Sequence, residues 1–421
     1  MNEKLLSFIW FNSLYPQQGL VTTEGESVSI IKRGFTNNDS GPDVTDAQIR
    51  IGKIVWAGNV EFHVKSSHWR LHNHHNDPAY SNIILHVVFE DDEPLKQPDG
   101  GIVPTLVLPF EQKYSDAYNN LLASNDFALC RCGFEALGTL KTSCFYDRLT
   151  IERIKHKSAA IIAALETNKG DWNETFWQFL ARAFGFGKNT LPFQLLAQSV
   201  SFSIIEKNRH SPSNILSILY GQAGFFSLPR FASDQYLNLQ REYYYQKQKY
   251  GLEAINPAAW KFSGMRPVSF PDRRIQQLMT LVVRNENLFS SITDTQTLDN
   301  VVDIFHIDSG AVNCPILPNF SPQQLGSDTI NLLIINLVVP FLYAYSTIYK
   351  SDDTAQRAIS FLESLPPEKN SVTKFFSNNG LVSASAFDTQ AQLQLFNEYC
   401  KPKKCIECQV GRYLVMDGIT H

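Results

Sequence analysis

No charge of one sign dominates this chain of 421 residues, in which 37 Lys and Arg stand against 41 Asp and Glu. The formal net charge of −4 excludes a protein that coats nucleic acid through a wholly basic surface, and leaves room only for a local basic groove. Cysteine is sparse. Seven residues, an odd number spread along a long chain, exclude a small secreted module stapled by disulfides. Common catalytic signatures are also missing. The chain has no Gly-x-Ser-x-Gly elbow and no dinucleotide fingerprint, and residues 185–190 lack the first glycine of a phosphate loop. One uncharged apolar run stands out, residues 329–349, but Asn331, Asn336, Pro340 and Ser346 lie inside it. A core helix interrupted at Pro340 is expected there, and no membrane partner. The N-terminal stretch carries one Lys and an apolar patch broken by Asn12, with no small-residue cleavage site, so a cytoplasmic location is expected.

What is present is enough apolar material for two or three domains: 43% hydrophobic and 12% aromatic residues. Residues 27–33, 46–52, 53–65, 82–90 and 102–109 are short, β-branched and bounded by turn residues, and read as strands. After Phe110 the period changes. Residues 111–123, 146–166 and 172–184 place apolar side chains on one helical stripe each, with Gly185 as a stop. The expected architecture is α+β, with a β-rich domain over 1–125 and a mainly helical region over 126–421 that ends in a Cys-rich tail.

Six of the ten histidines fall between positions 63 and 86: His63, His68, His72, His74, His75 and His86. On the strand leading into them, a two-residue period puts Val60, Phe62 and Val64 on one face and Glu61, His63 and Lys65 on the other. Upstream, Gly41-Pro42-Asp43 is a turn that delivers an Asp to the head of a strand. Two carboxylates, Asp43 and Glu61, suit a hard cation such as Mg²⁺ or Mn²⁺, with His63 or Lys65 to position a water and His86 or residues 72–75 in support. That order resembles the site of PD-(D/E)XK nucleases, with His63 in the place usually held by Lys, and implies a restriction-endonuclease-like core and phosphodiester hydrolysis of nucleic acid. A competing expectation is a non-catalytic scaffold in which Glu61 and Lys65 pair along a solvated edge strand and His86 is a hydrogen-bonded core residue.

GPDVTDAQIRIG and GNVEFHVKSSHWRLHNHHNDPAYSNIILHVVFED, together with RPVSFPDRRIQQL, INLVVPFLYAY and the Cys-rich tail, resemble an uncharacterised bacterial domain-of-unknown-function family along nearly the full chain. Two positions depart from its pattern: His68 stands where Asp is favoured before the Trp, and Val44 where Phe is usual. The resemblance implies membership and brings no activity with it.

A second constellation is Cys400-x₄-Cys405-x₂-Cys408. Thiolates at such spacing suit Zn²⁺ or three corners of an iron–sulfur cluster, with the fourth ligand left open among Cys130, Cys132, Cys144, Cys314 and the histidines. Three basic stretches, represented by Lys155 and Lys157, Arg241 and Lys247, and Arg273 and Arg274, make a modest case for a nucleic-acid surface.

Overall fold

The computed structural model describes residues 2–417 apart from 38, 96–101, 125–126, 308–311, 313, 316 and 318–321. The chain divides into two compact units. One comprises Met1–Phe145, Asn378–Leu381 and Leu395–His421, and the other Tyr146–Ser377 and Val382–Gln394. The α+β expectation holds, with a sheet early in the chain and helices after it. The sequence placed a division at 125/126. The chain crosses between units after Phe145, at the edge of the 112–145 interval in which the sequence reading put the boundary, and returns to the first unit with its cysteine tail.

In the first unit, helix α1 (Glu3–Phe11) is capped by the Asn2 side chain, which accepts from Leu5 N, and carries Glu3 in its first turn, where the helix dipole favours a carboxylate. Strands β1 (Leu20–Val21), β2 (Ser27–Lys32), β3 (Phe35–Thr36), β4 (Val44–Ile51) and β5 (Ile54–Lys65) follow. Helix α2 (His68–Leu71) and two short 3₁₀ turns then lead to β6 (Ile83–Glu90), and β7 (Thr105–Val107) completes the sheet. Its order is β1-β2-β4-β5-β6-β7, with β3 also paired to β4. The pairs β2–β4 and β4–β5 are antiparallel, whereas β5–β6 and β6–β7 are parallel. A parallel pair needs a crossover that packs on a face of the sheet, and the segment after Lys65 supplies it. The strand is therefore central, not the edge strand of the scaffold expectation. On the opposite face Trp10 of α1 meets Phe62 edge-on at 5.8 Å.

After β7 come α3 (Gln112–Ala123) and α4 (Ala128–Thr167). The α4 run is broken at Gly138, whose φ of 76° most side chains avoid. The second unit is helical. Helix α5 (Trp172–Phe184), capped by Asp171, buries Phe176, Trp177, Leu180 and Phe184, the stripe read from the sequence. The apolar run forms Ser327–Leu333, a π-helical turn Ile334–Val338, and Val339–Tyr349. Proline cannot donate an intrahelical hydrogen bond, and the wide turn before Pro340 absorbs that loss. Ser327–Tyr349 is long and apolar enough to cross a membrane, but 61% of its apolar window is buried inside this unit. Phe341 is fully buried there against Phe176 and Phe179.

Candidate metal centre

β4 contains a bulge: Val44 pairs with Val60 but Ala47 with Gly58, and Asp46 takes a left-handed φ of 56°. The extra residue re-aims the head of the strand. Asp43 and Glu61 interlock there. Glu61 Oε2 accepts from Asp43 N at 3.0 Å, and Asp43 Oδ2 accepts from Phe62 N at 3.0 Å. Each carboxylate is thus held by a backbone amide of the neighbouring strand.

The face of β5 that carries Glu61 and His63 is covered, not solvated. Ser66 and Ser67 anchor the crossover by donating to the Asp92 carboxylate, and Trp69, 1% exposed, buries itself with Ile83, Leu95 and Val103. Asn73 in the left-handed region (φ 63°) then reverses the chain, so that His72 and His74 both turn towards His63. Tyr80 holds the His74 ring in a stack with centroids 3.9 Å apart.

One ligand nitrogen each from His63, His72 and His74 lies within 4.8 Å of the others. His63 Nε2 is 3.1 Å from His72 Nδ1, while Glu61 Oε1 is 3.5 Å from His74 Nε2 and 3.9 Å from His63 Nε2. Donors around one ion at about 2.0–2.1 Å stand roughly 3.3 Å apart, a spacing the three histidines approach, with Glu61 beside His63 and His74 but outside the set that closes within 4.8 Å. His86, fully buried, brings its Nε2 to 2.8 Å from His63 Nδ1, leaving His63 Nε2 for the centre. It therefore sits behind a ligand and orients it.

The electrostatics point the same way. Burial, then Asp43 and Glu3, push Glu61 up to about 8. Burial also raises Asp43. Burial and the neighbouring imidazoles pull His63 down to about 2, and burial with His74 pulls His86 down to about 3. Near neutral pH the Glu61–histidine approaches are thus between uncharged groups, not ion pairs. His74 Nε2 and His86 Nδ1 are buried without a hydrogen-bond partner. A divalent cation would ionise Glu61 and engage His74 Nε2, so the residues fit a metal, while His86 Nδ1 stays without a partner behind the centre.

Other expected site residues stand apart. Lys65 is half-buried at the end of β5 and reaches Glu90 (3.1 Å) and Asp92 (3.8 Å), not Glu61. His75 lies beside Asn76. Among the basic residues, all in the helical unit, Lys155, Arg241, Lys247 and Arg273 are exposed. Lys157 donates to Asn336 and Gln390, and burial beside Arg153 lowers it to about 7. Arg274 bonds Gln277 and covers the Phe186 ring at 4.4 Å. Sequence reasoning missed Glu3. It lines a cavity of about 660 Å³ with Asp43, Phe62, Lys4, Glu407 and Arg412. Its only sequence signal was a carboxylate in the first turn of an N-terminal helix.

Residues 3–371 match the family model described as Protein of unknown function (DUF2851). The chain belongs to that family. Cys400, Cys405 and Cys408 lie beyond the matched span, whereas Cys130 lies within it. No curated protein and no solved structure matches the chain.

Proposed function

We propose that this DUF2851 protein is a metal-dependent phosphodiesterase acting on nucleic acid. The observation that carries this reading is the set of His63, His72 and His74 donor atoms within 4.8 Å of one another, with Glu61 beside two of them and Asp43 on a neighbouring cavity that Glu3 also lines. The order α1, antiparallel β2–β4–β5, short helical crossover and parallel β6 supports it, because it resembles the nuclease core implied by the sequence.

Glu61, His63, His72 and His74 would hold the ion. Three imidazoles and a carboxylate favour Mn²⁺ or Zn²⁺ over Mg²⁺, which demands oxygen ligands. A bound ion would supply Lewis acidity towards a phosphoryl oxygen. Asp43, half-buried and open to the cavity, is placed to accept a proton from a water there, and its raised pKa suits that work. Lys4, paired with Glu407, and Arg412, bonded to Asn12, line the same cavity. The exposed Lys155, Arg241, Lys247 and Arg273 would contribute to substrate binding.

A second reading has two observations in its favour: Glu61 is 5% exposed and His63 1%, and backbone amides occupy both the Asp43 and the Glu61 carboxylate, as in a structural lock. The test is cleavage of single- and double-stranded DNA and RNA with added Mn²⁺, comparing the unmodified chain with Asp43→Asn. Metal-dependent cleavage lost in the variant supports the enzyme. Tight metal binding with no cleavage of any substrate leaves only the lock.

A further inference from the structure

A cavity of about 470 Å³ opens wholly within the helical unit, apart from the histidine centre. It lies between the later part of α4, the end of α5 and the π-helical turn Ile334–Val338. That volume is typical of a small-molecule site. Its walls are mostly apolar: Ile161 of α4, Phe179 of α5, Phe186, and Leu333 and Pro340 on either side of the π turn. The walls are pinned. Ser158 Oγ donates to Pro340 O at 3.0 Å, and Phe341 meets Phe179 edge-on at 5.5 Å. π-Helical turns recur at functional sites, and this one places a polar side chain at the cavity.

Two cations, Lys157 and Arg182, line this apolar space, and among the described residues no carboxylate does. Half-buried Lys157 donates to two neutral amides, Asn336 Oδ1 and Gln390 Oε1, each at 2.9 Å. An ammonium has three N–H groups, so one is left over. The π turn orients Asn336 for this contact, because its Nδ2 donates to Leu332 O at 3.0 Å and leaves Oδ1 to Lys157. Gln390 Oε1 also accepts from Arg153 Nε at 2.8 Å, so two cations converge on one amide oxygen. The Glu368 carboxylate accepts from Gln390 Nε2 and raises Lys157 only weakly against burial and Arg153. Exposed Arg182 lies over the Phe179 ring at 6.0 Å. Among the described residues neither Lys157 nor Arg182 makes an ion pair. Positive charge held without a counter-ion against apolar surface is costly.

We propose that this cavity binds a monocarboxylate with an apolar body, its charge recognised by Lys157 with Arg182 at the rim, and its hydrocarbon or aromatic part lying against Phe179, Phe186 and Leu333. One negative charge matches the half-buried ammonium and its spare N–H, and the Arg182 fork adds attraction from the solvent side. The apolar walls discriminate against a strongly hydrated inorganic anion, which would lose its water and gain no packing. The cations discriminate against a neutral hydrocarbon ligand of the same shape.

The test is calorimetric titration of the full chain with decanoate and with 2-naphthoate, each below the concentration at which it aggregates. One site per chain is expected for at least one of them. Decanol and inorganic phosphate each supply half of the match and should bind roughly tenfold more weakly or worse. Lys157→Met should weaken carboxylate binding by roughly tenfold or more, and Arg182→Gln by roughly threefold. Ala160→Phe, at an exposed position of α4 that lines the cavity, should block binding. Arg182 and Ala160 are both exposed, so unchanged helical circular dichroism in their variants keeps the result readable even where Lys157→Met fails to fold. Failure of both carboxylates to bind, or decanol binding as tightly as decanoate, would overturn the proposal. So would carboxylate binding that survives Arg182→Gln and Ala160→Phe unchanged.

Discussion

Unpartnered buried polar atoms occur in both units, yet one buried group from each makes a useful contrast. In the helical unit the Arg209 guanidinium, 8% exposed, donates to the carbonyls of Val282, Asn285 and Glu286 at the end of the helix Pro271–Arg284. Those carbonyls lack intrahelical partners, so a cation there completes the backbone and needs nothing more. In the sheet unit Glu61, His63, His74 and His86 face one another, and two of their nitrogens find no partner. A buried cation that caps a helix is finished by the chain itself. A buried ring of neutral donors is finished only by something that arrives from outside, which is why the second arrangement signals function and the first stability.

Mutations should separate the two. Phe341→Ala, in the helical core, should lower stability by about 3–5 kcal/mol in chemical denaturation and leave Mn²⁺ affinity intact. Glu61→Gln should do the reverse. It should abolish Mn²⁺ binding in calorimetry, yet make the metal-free chain melt higher than the unmodified chain above pH 8, where the native carboxylate carries a buried charge. A lower melting point there would break the contrast between the units. His86→Asn, behind the ligands, should weaken Mn²⁺ binding by roughly 10–100-fold while leaving one site per chain. The smallest effect should come from Lys65→Ala. Its ammonium serves only Glu90 and Asp92 among the described residues, and Mn²⁺ affinity should not change.

The pH response of the metal-free chain sharpens the same point. Glu61, raised from 4.5 to about 8, holds more proton folded than unfolded, so its contribution to stability is lost as pH rises through that window. His63 and His86, lowered from 6.5 to about 2 and 3, act oppositely: their contribution is full above 6.5 and is lost as pH falls below it. Saturating Mn²⁺ should remove the loss between pH 6.5 and 8, where these two histidines no longer contribute a slope, which thermal melts across that range would show.

Much of the sheet was legible because its pattern is local. Alternation along 53–65 placed Glu61 and His63 on one face, and the Gly-Pro-Asp turn placed Asp43 at the head of β4. Helix 172–184 was likewise readable from its apolar stripe and the Gly185 stop. The choice among six histidines was not. It depends on the left-handed Asn73, on the burial of Trp69 and on the parallel crossover, none of which a spacing reveals. Lys65 continued the alternation correctly but lies past the edge of the crossover, where Glu90 and Asp92 claim it. Glu3 is brought to the site by the packing of α1, a tertiary event with no local signature.

Calorimetric titration of Mn²⁺ into chelator-stripped protein near pH 7, repeated in buffers of different ionisation enthalpy, tests the histidine centre most directly. The account predicts one site per chain, release of about one proton from Glu61 on binding, and loss of the site in His74→Ala. A site that persists unchanged in His74→Ala, or that forms without proton release, would contradict it.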